Sequence, residues 1–300
     1  MAVPEKILRF GIPKGSLEQQ TIELMRKSGW RISVDARSYI PSVDDAALSL
    51  RVMRPQEMPR YIADGHLDAA ITGSDWVMEN GVDLVQVESF VYAKVSLKPT
   101  RWVLVVPENS PVKRMEDLEG KLVATEMVGF TKRVFAERKV QVEVEFSWGA
   151  TEAKVADGLV DAIVDVTETG SSLRANKLRI VEELLTSNPV LVANHEAWRD
   201  EWKQAKIKQI AVLMRAALDA DARVGLKLNV AKKNLEKIIA LLPSITAPTI
   251  SHLYPSPALK GEEWVAVETM IAEHTVRELF PKLLEAGAVG IVEYPVNKII

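Results

Sequence analysis

Along the first two thirds of the chain, apolar residues fall in short continuous runs, each followed by a turn and then by a segment of helical character. Residues 7–12 read as a buried strand and Pro13-Lys14-Gly15-Ser16 as a loop. Residues 17–28, apolar at Ile22, Leu24 and Met25, read as a helix stopped by Gly29. The order repeats as strand 48–53, helix 56–64 closed by Gly65, strand 69–72 and a helix start at 75–79. A second series opens at Trp102, with strand 102–106, short helix 115–120, strand 122–125, helix 131–138 and strand 162–166. Residues 102–106 are apolar at every position, as a strand covered on both faces requires. This rhythm predicts a mostly parallel α/β sheet. Residues 188–193 read as another strand, and 196–217 as a long helix broken by Asp219-Ala220-Asp221-Ala222.

Beyond the break the pattern changes. Residues 224–230 alternate like a half-buried strand, and 233–242 form an amphipathic helix. Strands 249–253 and 264–271, a helix 275–286 and a last strand 290–294 follow. The order β-α-β-β-α-β within about 80 residues is the ferredoxin-like pattern.

Composition narrows the function. The 300 residues suffice for two ordinary domains, and 47% hydrophobic with 26% charged residues is normal for a globular protein. No apolar run approaches the roughly 20 residues that span a bilayer, so no membrane role is expected. The first six residues lack the apolar stretch of a secretory leader, which implies a cytoplasmic protein. With no cysteine, disulfides, thiolate metal sites and thiol nucleophiles are excluded. His66, His195, His252 and His274 include no pair at helical metal-binding spacing, and none is assigned to catalysis. A net charge of −3, with 38 basic and 41 acidic residues well mixed, argues against a nucleic-acid partner.

The strongest local signal is the segment 161–173, where an apolar strand meets Asp165, a run of Thr167, Glu168, Thr169, Gly170, Ser171 and Ser172, and then Leu173. Gly170 allows close backbone approach to a ligand, and the N–H groups after it suit an anion. Thr169, Ser171 and Ser172 add hydroxyls, and Asp165 is placed to accept from sugar hydroxyls. Phosphate and diol together are what a ribose-5-phosphate presents. On these residues alone, an ordinary strand-to-helix turn with a hydroxyl cap fits as well. Glu168 is expected to point away from the phosphate. Other loops follow strands in the same way. They carry Lys14 and Gly15, Arg51 and Arg54, Gly73 with Ser74 and Asp75, and Thr131 with Lys132 and Arg133. Singly these read as solvated charges or helix caps. Ligands of open α/β sheets bind at carboxyl strand ends, where such loops gather, and Lys14, Arg54 and Lys132 there would suit a polyphosphate.

Taken together, residues 12–17, 54–59, 65–75, Ala124-Thr125-Glu126 with Thr131-Lys132-Arg133, and 158–178 resemble the ATP phosphoribosyltransferase family over essentially the whole chain. The resemblance implies an α/β fold of two periplasmic-binding-protein-like lobes, the second inserted into the first, plus a C-terminal ferredoxin-like regulatory domain. The bounds implied are 1–100 with 186–218 for the first catalytic lobe, 101–185 for the second, and 222–300 for the regulatory domain. It also implies transfer of the phosphoribosyl group from phosphoribosyl pyrophosphate to N1 of ATP, with Mg2+. The donor's phosphate and ribose would lie at Asp165, Thr167, Thr169, Gly170, Ser171, Ser172 and Leu173. The polyphosphates would lie at Lys14, Gly15, Arg54, Gly73, Asp75 and Lys132. Asn229, Thr249 and Ser251 would contact histidine as feedback inhibitor, in a homo-oligomer expected to be a hexamer. No catalytic base and no metal ligand is assigned. The chain departs from the family at Ser16, where many members have arginine, at Glu57, where they have aspartate, and at Asn229, where an acidic contact to the inhibitor aligns. A solute-binding module and an inactive regulatory subunit are the competing readings.

Overall fold

The computed structural model describes residues 6–35, 38–92, 99–243, 247–254 and 262–300. Residues 1–5, most of the N-terminal stretch read above for a leader, lie outside these. The chain divides into two compact units, the first reaching Arg26 and resuming over Trp30–Ala211, the second made of Lys27–Gly29 and Val212–Ile300.

The first unit holds two five-stranded sheets. Their strands are β1 (Leu8–Pro13), β4 (Leu48–Met53), β5 (Ala69–Gly73), β6 (Val85–Ser89) and β12 (Pro189–Ala193) in one, and β7 (Thr100–Pro107), β8 (Leu122–Thr125), β9 (Glu143–Phe146), β10 (Ala162–Thr167) and β11 (Leu178–Ser187) in the other. A two-stranded ribbon, β2 (Ile32–Ser33) with β3 (Ser42–Val43), stands apart. The helices are α1 (Glu18–Ser28), α2 (Met58–Ala63), α3 (Ser74–Asn80), α4 (Val128–Glu137), α5 (Thr151–Ala156), α6 (Ser171–Ala175), α7 (His195–Arg199) and α8 (Glu201–Asp221), the last ending in the second unit.

The first sheet runs β4-β1-β5-β12-β6 and the second β11-β7-β10-β8-β9. In each, four strands point the same way and one, β12 in the first and β7 in the second, runs antiparallel to its two neighbours. The expected mostly parallel direction holds in both sheets, each broken by one reversed strand. The chain leaves the first sheet after β6 and returns at β12, with only Asn188 between β11 and β12, so the crossing strands enter against their neighbours. The run 102–106 is buried on both faces. Trp102, Leu104 and Val106 join one core and Val103 and Val105 the other.

Other differences have local causes. Strands β6, β9 and β11 escape the apolar pattern. β9 reads Glu-Val-Glu-Phe at a sheet edge, and β11 is interrupted by Glu182-Glu183 and carries two register shifts. The segment 115–120 forms only a 3-10 turn, Met115–Leu118. The long helix is split at Asp200, whose ψ of 113° is extended, and it then runs through to Asp221 rather than breaking at Asp219.

The second unit contains β13 (Arg223–Ala231), α9 (Leu235–Leu241), β14 (Thr249–His252), β15 (Trp264–Ala272), α10 (Val276–Glu285) and β16 (Val289–Pro295). Its antiparallel sheet, ordered β14-β15-β13-β16, is the ferredoxin-like arrangement. Leu226, Leu228 and Val230 alternate inward against Ile238, Val267, Leu279 and Leu283. That is how the period-2 and period-3.6 patterns bury one face each.

Candidate functional site

A cleft of about 380 Å³ lies where the carboxyl ends of both sheets of the first unit meet. The first sheet contributes Lys14, Gly15 and Ser16 after β1, Arg54 and Gln56 after β4, and Gly73 and Asp75 after β5. Glu126 after β8, with Val166 and Glu168 at the end of β10, comes from the second sheet. Ser187, Asn188 and Pro189 floor the cleft where the chain passes between sheets.

Five of the six residues expected to hold polyphosphate thus line one wall. Lys132 does not. It is exposed on α4, whose first N–H groups, those of Gly129 and Phe130, donate to the Glu79 carboxylate at 2.8 and 2.7 Å. A carboxylate from the other sheet therefore already caps this helix, and Lys132 is turned to solvent. Lys14 and Arg54 each sit on an exposed aromatic ring. Lys14 Nζ is 4.0 Å from the Tyr39 centroid, and the Arg54 guanidinium is 4.1 Å from that of Trp148. The Lys14 ammonium holds the Tyr39 phenol below its usual range.

Asp75 is buried rather than open to a ligand. Its Oδ2 accepts from Trp102 Nε1 at 2.7 Å, its Oδ1 from the Trp76 N–H at 2.9 Å, and its own N–H donates to Ser187 Oγ at 3.2 Å. Burial pushes its carboxyl up, against the pull of those donors. Gly73 makes this possible, since a Cβ there would lie 2.0 Å from Asp75 Oδ1. The pair serves the joint between the sheets, with Trp76 and Trp102 stacked edge to face across it.

The segment read as a phosphate loop folds on itself. Gly170 has φ 71°, which glycine adopts without the Cβ clash of other residues. Its N–H donates to Thr167 Oγ1 at 2.8 Å. Thr169 Oγ1 donates to Ser171 Oγ at 3.0 Å, and Ser172 Oγ to Glu152 Oε1 at 2.6 Å. Leu173 is buried and anchors the five-residue α6 to the core below. Glu168, just past the end of β10, lines the cleft. Asp165, half-buried, has its carboxyl raised to about 7 by burial and by the nearby charges of Glu152 and Glu126. Its Oδ1 accepts from the Val166 N–H at 2.7 Å.

Sequence reading passed over Gln56, Trp148 and the part played by Glu126. The Glu126 carboxyl is raised by burial, opposed by hydrogen bonds from the Gln56 side chain and the Gly149 N–H and by the Arg54 charge. It joins both sheets across the cleft. In the second unit, Asn229 and Ser251 face Ala266 from opposite sides, and Thr249 faces Glu268 two pairs along. The three residues expected near an inhibitor thus share the sheet. Among the described residues no three His, Asp or Glu side chains gather to hold a metal ion, and no helix is long and apolar enough to cross a membrane.

Two α/β lobes that meet at a cleft lined by Lys14 and Arg54 and by Asp75, Glu126 and Glu168 define the periplasmic-binding-protein type of architecture, here with an appended ferredoxin-like domain. The model of the ATP phosphoribosyltransferase (HisG) family matches residues 54–216, and that of the HisG C-terminal domain residues 220–298. The ATP phosphoribosyltransferase of Geotalea uraniireducens is 55% identical over 98% of this chain and 99% of its own. ATP phosphoribosyltransferase 1 of Geobacter sulfurreducens is also 55% identical, over the same shares. Among solved structures, the ATP phosphoribosyl transferase (HisG:HisZ) complex from Thermotoga maritima aligns with 70% of this chain and 99% of that one. Its TM-score is 0.59 and its identity 24%, a likeness of fold. The chain belongs to the ATP phosphoribosyltransferase family, in its long form, and is a transferase of histidine biosynthesis. Enzymes of this family use a divalent metal.

Proposed function

We propose that the cleft joins C1 of phosphoribosyl pyrophosphate to N1 of the ATP adenine and releases pyrophosphate. The 55% identity to ATP phosphoribosyltransferases along almost the full chain carries this reading. Residues 1–100 and 186–218 form one catalytic lobe and 101–185 the other. The donor phosphate lies in the loop of Thr167, Thr169, Gly170, Ser171, Ser172 and Leu173, whose internal hydrogen bonds exchange for bonds to the anion. Asp165 accepts from the ribose hydroxyls. Lys14, Gly15, Arg54 and Gly73 serve the polyphosphates, with Lys132 reaching them only if its side chain swings inward. Asp75 acts from beneath by fixing the joint.

The displacement passes through a sugar with cation character. Orientation of the two polyanions and electrostatic support of the departing pyrophosphate lower the barrier. Adenine N1 already carries a lone pair, so no residue needs to abstract a proton from it. Mg2+ arrives with the substrates. Glu126 and Glu168, both on the cleft wall, provide negative potential near the developing cation. Residues 222–300 form the regulatory domain, where histidine binds near Asn229, Thr249 and Ser251 and inhibits. The assembly is a cytoplasmic homohexamer.

The reading is tested by pyrophosphate release with each substrate alone, with both, and with both plus histidine. Release only with both, lowered by histidine, is expected. Heat of ATP binding without any pyrophosphate would instead fit a binding module.

A further inference from the structure

The loop after β9 carries a residue that the reaction above leaves unused. Trp148 exposes 61% of its surface, on a chain whose other described tryptophans are buried or partly buried. An isolated exposed apolar residue is ordinary. This one is held in place, however. Gly149 and Ala150 after it both take left-handed backbone, with φ 70° and 49°. The Gly149 N–H is tied to Glu126, the cleft residue that Gln56 also reaches. The ring face is not idle either, because the planar guanidinium of Arg54, from the other lobe, lies 4.1 Å from its centroid.

Topology says what this ring faces. Strands β10, β8 and β9 are adjacent and parallel, so their carboxyl ends lie side by side. They carry, in order, the loop of Asp165 and Gly170, then Glu126, then Trp148. At roughly 4.8 Å per strand, the phosphate loop and Trp148 are about 10 Å apart, with Glu126 between. A sugar phosphate anchored at the end of β10 extends toward β8. The group that attacks its far end must approach from the β9 side. A purine lying there meets the indole face, and a stacked guanidinium is a planar stand-in for a base.

We propose that Trp148 is the stacking platform for the purine of the nucleotide acceptor, and that Arg54 leaves the ring for the substrates' phosphates when the base arrives. This rests on reading the cleft as a phosphoribosyltransferase site. The ring trades one stacked partner for another, which keeps it exposed in the empty cleft at little cost and couples arrival of the base to release of a cation toward the donor.

The test compares Trp148→Ala and Trp148→Phe with the wild type by steady-state pyrophosphate release, varying each substrate against saturating levels of the other. Loss of a base–aromatic stack weakens binding roughly five- to hundredfold, and loss of the competing Arg54 stack puts the expectation at about five- to twentyfold. KM for ATP should rise by that factor in Trp148→Ala while KM for the donor stays within about twofold, and Trp148→Phe should recover most of the loss. The proposal is overturned if KM for ATP in Trp148→Ala stays within about twofold of wild type. It is equally overturned if both KM values rise together, since that pattern belongs to lobe closure rather than stacking. Absence of pyrophosphate release in the wild type would remove the underlying reaction itself, and that is seen before any variant is compared.

Discussion

Replacing Asp165 with asparagine should make the protein more stable at neutral pH and less able to use its donor. The carboxyl is half-buried and stands near Glu152 and Glu126, which raise it from 3.8 to about 7. In the unfolded chain it ionises near 3.8, whereas in the folded protein it stays protonated until about 7. Stability is therefore unaffected below about pH 4, falls as pH rises between about 4 and 7, and stays at its lowered level above that. A shift of about 3 units corresponds to about 4 kcal/mol at most. Partial solvent access to the site reduces this to about 1–2 kcal/mol. Asparagine keeps an oxygen to accept the Val166 N–H, so that bond at 2.7 Å survives. Thermal or urea unfolding of both proteins from pH 4 to 8 measures the difference. The two curves should coincide near pH 4 and separate by about 2–8 °C at pH 8, at about 2–4 °C per kcal/mol for a unit of this size. The variant's KM for the donor should rise, because a carboxylate holds a diol better than an amide. A stability difference that is flat with pH, or a wild type that gains on the variant between pH 4 and 7, would refute the reasoning.

Three further outcomes are expected. Asp68 is 1% exposed and accepts from Arg9 at 2.7 Å and Lys203 at 2.9 Å, both of which reach water, so Asp68→Ala should cost about 1–3 kcal/mol in unfolding free energy by removing their shared acceptor. Burial alone would raise the Asp68 carboxyl, but its hydrogen bonds from Arg9 and Lys203 hold it below the usual range, so the stability it gives is lost as pH falls through that depressed value, an acid-side loss readable in the same unfolding curves. Glu79→Ala should cost about 0.5–2 kcal/mol, since it uncaps α4 at Gly129 and Phe130 and loosens the two lobes, a change that protease sensitivity in the first unit would report. Gly170→Trp, at φ 71° with Arg174 Nη1 already 3.1 Å from where a Cβ would sit, should raise the donor's KM well above that of ATP, and normal donor kinetics would sink the loop assignment.

Much of the fold was legible because it is written in local periodicity. The apolar run 102–106 could only be a strand covered twice, and the alternation 224–230 could only bury one face. The gathering of Lys14, Arg54 and Gly73 followed from the rule that parallel strands end at one side. Contacts between lobes were not legible. The Asp75–Trp102 bond joins residues 27 positions apart, and the Glu79 cap joins α3 to Gly129 and Phe130, 50 and 51 positions on. No local pattern marks either. Nor does anything near Lys132 announce that Glu79 already caps its helix start. Strand β11 was hidden because Glu182-Glu183 breaks the alternation at two register shifts.

The central claim is the reaction, and its stoichiometry tests it most directly. Purified protein is incubated with ATP, Mg2+ and phosphoribosyl pyrophosphate labelled with carbon-13 at C1, and the mixture is followed by NMR alongside a pyrophosphate assay. One pyrophosphate for each labelled carbon that becomes bonded to adenine N1 is the predicted result. Donor hydrolysed to free ribose phosphate without a bond to adenine, or donor that remains intact, would contradict it.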